Sequence, residues 1–147
     1  MSQKTDPMDV PAVLDCLNRA LRLQNRSVLQ FTIVAGGGVG PHALALGELL
    51  TRYAHDELTD TRTVVSKIVS LGGEPDARVE PLAYHDDMGD ALGHLIDSEQ
   101  EAIAALHEVI PHSGQEPRSE ALEHLMEHLI MRKQNQVDWL RRARRAG

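Results

Sequence analysis

Apolar residues recur at intervals of three and four along most of this chain, the spacing of amphipathic helices that each bury one stripe. Four such stretches can be drawn. The first runs from near Asp9 to about Ala35, with Val13, Leu17, Leu21, Val28 and Phe31 on one face. Asp9 suits an N-cap and Pro11 the first turn. Gly36 to Pro41 ends this helix in a tight connection. The second spans about His42 to Leu71, its stripe formed by Leu46, Leu50, Tyr53, Val64, Ile68 and Leu71, and Gly72-Gly73 stops it. The third runs from about Asp87 to Ile110, with Met88, Leu92, Leu95, Ile103, Leu106 and Ile110 inward and Pro111 at its end. The fourth starts at Pro117 or Ser119 and continues to about Arg145, with Leu122, Leu125, Met126, Leu129 and Leu140 in its seam. Between the second and third, Glu74 to Asp87 lacks periodicity and contains Pro75 and Pro81. That segment is too long for a simple hairpin turn. The pattern predicts one all-α domain, an antiparallel four-helix bundle with a long crossover between helices two and three.

Each seam is interrupted by polar residues near its middle: Gln24 in the first, Glu57 and Asp60 in the second, Glu99 in the third, Lys133 and Gln136 in the fourth. Burying such groups without partners costs several kcal/mol, so a core normally excludes them. Gln24 and Glu57 sit at depths from the first connection that differ by little more than one helical turn. The interruptions are therefore expected to meet in a single layer. Their one-two-one-two arrangement, with the doubled members at i and i+3, is the layout of a carboxylate-bridged di-metal site.

The residue types depart from that site. About four carboxylates and two imidazoles surround such a metal pair; here three carboxylates, two amides and an amine take the positions, with no histidine. An ammonium at Lys133 would repel a metal cation. Three arrangements follow. Lys133 could donate hydrogen bonds to Glu57 and Glu99, the two glutamines satisfying what remains. A single divalent ion, iron for example, could be held by Glu57, Asp60 and Glu99 if Lys133 swings away or loses its proton. A full oxidising di-iron centre is the third.

Composition narrows the function classes. Aromatic residues make up 3% of the chain, so aliphatic side chains must supply the core. The formal net charge of −7 argues against a general nucleic-acid-coating surface. The exception is the arginine cluster Arg141, Arg142, Arg144 and Arg145, which suits a helix C-terminus or a phosphate contact. Cys16 is the only cysteine, so no internal disulfide forms. The N-terminal residues lack the order of a signal peptide, and no apolar run is long enough for a membrane span, so a soluble, cytoplasmic protein is expected. Gly36 to Pro41 is not a phosphate loop, since no strand precedes it and no Lys-Ser/Thr follows. His124 and His128 stand at i and i+4 in HLMEH, a zinc-gripping spacing. His124 points away from the seam, and a solvated acidic face explains the stretch. His55 also points away from the seam, and Cys16 sits at the edge of its stripe, where a small buried thiol is expected.

The segments LNRALRLQNRSVLQF, GPHALALGELLTRYAHDELTDTRTVVSKIVSLGGEP and VDWL resemble the ferritin-like superfamily, in particular the bacterioferritins and the Dps-type mini-ferritins. The resemblance covers nearly the whole chain. It implies that Glu57 and Glu99 match metal-ligand glutamates, that Gln24 replaces the first ligand Glu, and that Asp60 replaces a ligand His. Lys133 and Gln136 replace the Glu-x-x-His of the last helix. Leu58 stands where bacterioferritins carry the haem-ligating Met, so haem is not expected. The inter-subunit ligands of Dps-type proteins fall on Gly47, Thr51, Arg62 and Ser66. Both ferroxidase patterns are thus broken. The resemblance implies a self-associating protein, a homodimer or a twelve-subunit shell, without di-iron ferroxidase activity. A ferroxidase or iron-storage protein using a reduced site is one alternative. The other is a shell that protects DNA through its arginine tail.

Overall fold

In the computed structural model, which describes residues 6–146, the chain forms α1 (Val10–Gly37), α2 (Pro41–Ser70), α3 (Met88–His107) and α4 (Pro117–Ala146). A short 3-10 turn, Ile110–His112, lies between α3 and α4. Local chemistry accounts for most of the ends. The Asp9 carboxylate caps α1 by accepting from the Ala12 amide at 3.2 Å. Asp87 caps α3 in the same way, accepting from the Asp90 amide at 3.0 Å. At the end of α2, Gly72 turns left-handed at φ 85°. The Gly73 amide then reaches the Ile68 carbonyl and the Gly72 amide the Val69 carbonyl, which closes the helix in a Schellman motif.

Several boundaries differ from expectation. α1 continues through Gly36 to Gly37. α3 stops at His107, and Ile110 and Pro111 belong to the 3-10 turn. Val28, Leu46, Leu71, Ile103, Ile110 and Leu125 are only half-buried, placed at the margins of their stripes. Ala20, Ala91, Ala102, Ala105 and Val137 take deep positions instead, because small side chains let the helices approach closely.

The core falls into two apolar clusters. One, built on Leu17, Leu21, Val64, Ile68, Leu106, Leu122, Met126 and Leu129, lies toward the end that holds the α3–α4 turn. The other gathers Phe31, Leu50, Tyr53, Leu92, Leu95, Val137 and Leu140 toward the α1–α2 turn. On every helix the residues between these clusters are the polar ones. α1 packs against α2 and α3, and α3 against α4, whereas the backbones of α2 and α4 make few close approaches.

The crossover is held by a second polar stripe on α1. The Asn18 amide donates to the Glu74 carbonyl at 3.1 Å and its oxygen accepts from the Asp76 amide at 2.9 Å. Arg22 reaches Asp76 and Glu80, and Asn25 reaches the Arg78 carbonyl. Gln30, fully buried, pairs with both backbone groups of Ala83, donating at 2.7 Å and accepting at 2.9 Å. Truncating it leaves two backbone groups without partners. Gln30→Ala is expected to cost about 1–3 kcal/mol in urea unfolding. It should also raise hydrogen exchange in residues 72–87 more than in the bundle, and uniform acceleration across all four helices would contradict this assignment.

Candidate functional site

The polar layer is buried at mid-depth between the two apolar clusters. Gln24, Glu57, Asp60, Glu99, Lys133 and Gln136 are each at most 4% exposed. The Lys133 ammonium is its centre. Nζ donates to Glu99 Oε2 at 2.7 Å, to Glu57 Oε2 at 2.9 Å and to Ser27 Oγ at 3.3 Å, which uses its three hydrogens. Gln24 donates its amide to Glu57 Oε2 at 2.9 Å and to Thr61 Oγ1 at 3.3 Å. The single Ser27 hydroxyl hydrogen is shared between Glu99 Oε2 at 3.0 Å and the Leu23 carbonyl at 3.1 Å. Thr61 returns its hydroxyl to the Glu57 carbonyl.

The structure does not bring all six residues to one point. Asp60 turns toward Arg132, whose guanidinium lies 3.4 Å from Asp60 and 3.5 Å from Asp56 across the α2–α4 seam. Gln136 is buried beside the layer, but its side-chain oxygen meets no donor. Of the two glutamines, only Gln24 takes a satisfying role. Ser27, Thr61 and Arg132 were not singled out from the sequence. Ser27 and Thr61 stand at i+3 from Gln24 and i+4 from Glu57, which was the available signal.

Electrostatics follow from this division. Burial pushes the Glu99 carboxyl above the ordinary range and Glu57 adds to the rise, while Lys133 and its hydrogen bond oppose it. Burial works against the Lys133 charge, yet Glu57 and Glu99 together overcome it and hold the amine above its usual value. Asp60 is raised by burial, with Arg132 the main opposing influence. Five buried oxygens in and around the layer have no hydrogen-bond donor: Gln24 Oε1, Glu57 Oε1, Asp60 Oδ2, Glu99 Oε1 and Gln136 Oε1.

Other candidates lie apart. His55, His124 and His128 are exposed. Leu58 is 55% exposed on the outer face of α2. Cys16 is half-buried, and burial raises its thiol pKa. Two of the clustered arginines have partners within the chain: Arg142 stacks 4.3 Å from the Trp139 ring centre, and the Arg144 guanidinium passes over Gly93.

A bundle with a long crossover and a mid-depth layer of this one-two-one-two form has the architecture of the carboxylate di-metal proteins. A family model described as ferritin-like domain matches residues 14–145, and the chain belongs to that family. Solved structures with the same fold include a ferritin-like, diiron-carboxylate protein from Bacillus anthracis strain Ames, at TM-score 0.82 and 21% identity, with 97% of this chain and 98% of that one covered. A bacterioferritin-related protein from Bacteroides fragilis, described as a dodecameric thioferritin, matches at TM-score 0.82 and 17% identity, covering 92% and 86%. BfrA from M. tuberculosis matches at 0.80 and 18%, covering 89% and 81%. No curated protein matches by sequence.

The residues present do not fit a pair of irons. The space between Glu57 and Glu99 is taken by an ammonium within hydrogen-bond distance of both. Among the described residues, no three histidine, cysteine, aspartate or glutamate side chains are grouped to hold a metal ion.

Breaking a buried ion pair from one side costs about 3–5 kcal/mol, whereas replacing all its members with apolar groups is often neutral. Lys133→Met is therefore expected to lose about that much stability in urea unfolding. The triple change Lys133→Met, Glu57→Leu, Glu99→Leu should regain most of it. Equal losses in both variants would deny the cluster its coupling. A pH test is independent. Because the folded-state pKa of Glu99 is raised, the folded protein keeps a proton that the unfolded chain releases. Stability is then lost as pH rises from the ordinary glutamate range through the raised value, and Glu99→Gln should flatten that fall. Lys133, raised above the ordinary lysine range, contributes stability that fades only when pH climbs through its own raised value.

Proposed function

We propose that this chain is a ferritin-like protein of the iron-storage and stress-protection lineage that self-associates and does without di-iron ferroxidase chemistry. The observation that carries this reading is the Lys133 ammonium, 2.7 Å from Glu99 and 2.9 Å from Glu57. An ammonium offers no open coordination position and no redox change. The acids that would bridge metals are spent on neutralising it.

Self-association has its own support. The outer face of α1 and α2 exposes Leu29, Leu58 and, from the crossover, Val79. Two adjoining grooves of about 420 and 400 Å³ share Val28 and Leu58 along this face. Contiguous exposed apolar surface of this kind marks an interaction site, and a second copy of the chain is the occupant we assign, as a symmetric dimer or as the repeating contact of a shell. The bacterioferritin-related neighbour described as dodecameric accords with this.

A second reading rests on the unpartnered oxygens of Glu57, Asp60 and Glu99. A divalent ion held by these acids would satisfy them, once Lys133 swung aside.

Anaerobic ferrous titration followed by oxygen separates the readings. We expect no saturable binding in the layer and iron oxidation no faster than in buffer. Two tightly bound ions per chain with rapid oxidation would overturn the leading reading, and one bound ion lost in Glu57→Gln would favour the second. Sedimentation tests the surface separately. Leu58→Glu should convert the assembly to monomers with the far-UV spectrum unchanged, whereas an unaltered sedimentation coefficient would place the contact elsewhere.

A further inference from the structure

Away from the polar layer, the end of the crossover brings His85 against His94 of α3. Their ring centres are 5.2 Å apart and the planes are inclined by 49°. His94 Nε2 is shielded from solvent and has no hydrogen-bond partner. Buried polar atoms are almost always paired, so an orphaned ring nitrogen needs a reason.

The spacing supplies one. An ion such as zinc lies about 2.0–2.1 Å from each imidazole nitrogen, and the ring centre is roughly 1.1 Å further on, so two rings at a tetrahedral angle have centres about 5.2 Å apart. We propose that His85 and His94 form a two-imidazole site for a divalent ion that prefers nitrogen ligands, of the Zn²⁺, Ni²⁺ or Cu²⁺ class, joining the crossover to α3.

The surroundings are compatible with this. Burial lowers the His94 pKa, with His85 and Arg26 contributing and Asp97 opposing, which favours the neutral ring and its lone pair. Arg26 would disfavour an added cation, but it is already turned to the Ser98 carbonyl at 3.2 Å and to Glu101 at 3.5 Å. Among the described residues, no third side chain completes a metal-holding group. The pair thus supplies two of the positions, and the exposed side of His85 leaves the others open. His85 is exposed, which gives an ion its way in. Imidazole-preferring ions suit this pair, whereas the oxygen donors of the polar layer suit harder ones.

The full chain is titrated calorimetrically with Zn²⁺, and with Cu²⁺ under electron paramagnetic resonance, as wild type, His85→Ala, His94→Ala and the double variant His124→Ala/His128→Ala. The α4 pair is the natural competitor for adventitious metal. Expected is one ion per chain in the wild type and in the α4 variant, hyperfine structure from two imidazoles with Cu²⁺, and loss of saturable binding in His85→Ala and His94→Ala. His85 lies on the exposed crossover, so its variant should melt like the wild type without metal and remains informative if His94→Ala fails to fold. Absence of wild-type binding, binding unchanged in His85→Ala, or loss only in the α4 variant would each overturn the site.

Discussion

A single amine buried between two glutamates constrains this bundle more than any apolar contact does. Apolar helices can slide on one another at modest cost, because a leucine replaces a leucine. Lys133 cannot. One helical turn along α4 in either direction lies Leu129 or Val137, each a member of an apolar cluster. A slip of about 5.4 Å would drive the ammonium into hydrocarbon and leave Glu57 and Glu99 facing a side chain with nothing to donate. The charge cluster therefore sets the register of α4 against α2 and α3. It does so without needing to stabilise the fold relative to an apolar replacement, since desolvation can cancel the attraction.

The same interaction explains why the core is divided. Ser27, Thr61 and Gln24 are drawn to mid-depth because the carboxylates need donors beyond the lysine. Each of these side chains excludes an apolar one. Phe31, Val64, Ala102 and Val137 then mark where hydrocarbon packing resumes toward the two ends. A layer built for metals would have filled its coordination sphere from acids and imidazoles. This one draws its donors from an amine, an amide and two hydroxyls, which leave five oxygens in and around it without a partner.

Much of this was legible in the residues, for reasons that differ by element. Helix positions followed from periodicity, and the turns from Gly72-Gly73, Pro41 and Asp87, whose backbone preferences are local. The depth of the polar layer followed from counting along helices of fixed rise. Partner choice within the layer followed only in part: the pairing of Lys133 with Glu57 and Glu99 matches the first arrangement drawn from the sequence, but that of Asp60 with Arg132 does not follow from it. Asp60 and Glu57 lie three residues apart on one helix, and only packing decides that one faces Lys133 and the other Arg132. The second polar stripe of α1 was also hidden. Asn18, Arg22, Asn25 and Gln30 carry no signal of it, because a side chain that binds a loop backbone has the same sequence pattern as one that binds water. A crossover without periodicity offers nothing to phase it against.

That hidden stripe bears on how the bundle holds its sides. α1 is fastened to α2 and α3 by packing and to the crossover by side-chain hydrogen bonds, so it is constrained on nearly every face. The α2–α4 seam is different. Its backbones stay apart, and at mid-depth it is spanned by Arg132, a third exposed and bonded to Asp56 and Asp60 at 3.5 and 3.4 Å. The pair with Asp56, exposed on both sides, contributes little to stability, whereas Asp60 is buried and depends on Arg132 for its counter-charge. Behind the arginine lie the unpaired oxygens of Asp60 and Gln136. Toward both ends of the seam the closure is apolar again, since Val64 and Ile68 share one cluster with Leu122, Met126 and Leu129, and Leu50 and Tyr53 share the other with Val137 and Leu140. That seam is thus closed by an ion pair at mid-depth and by hydrocarbon toward each end.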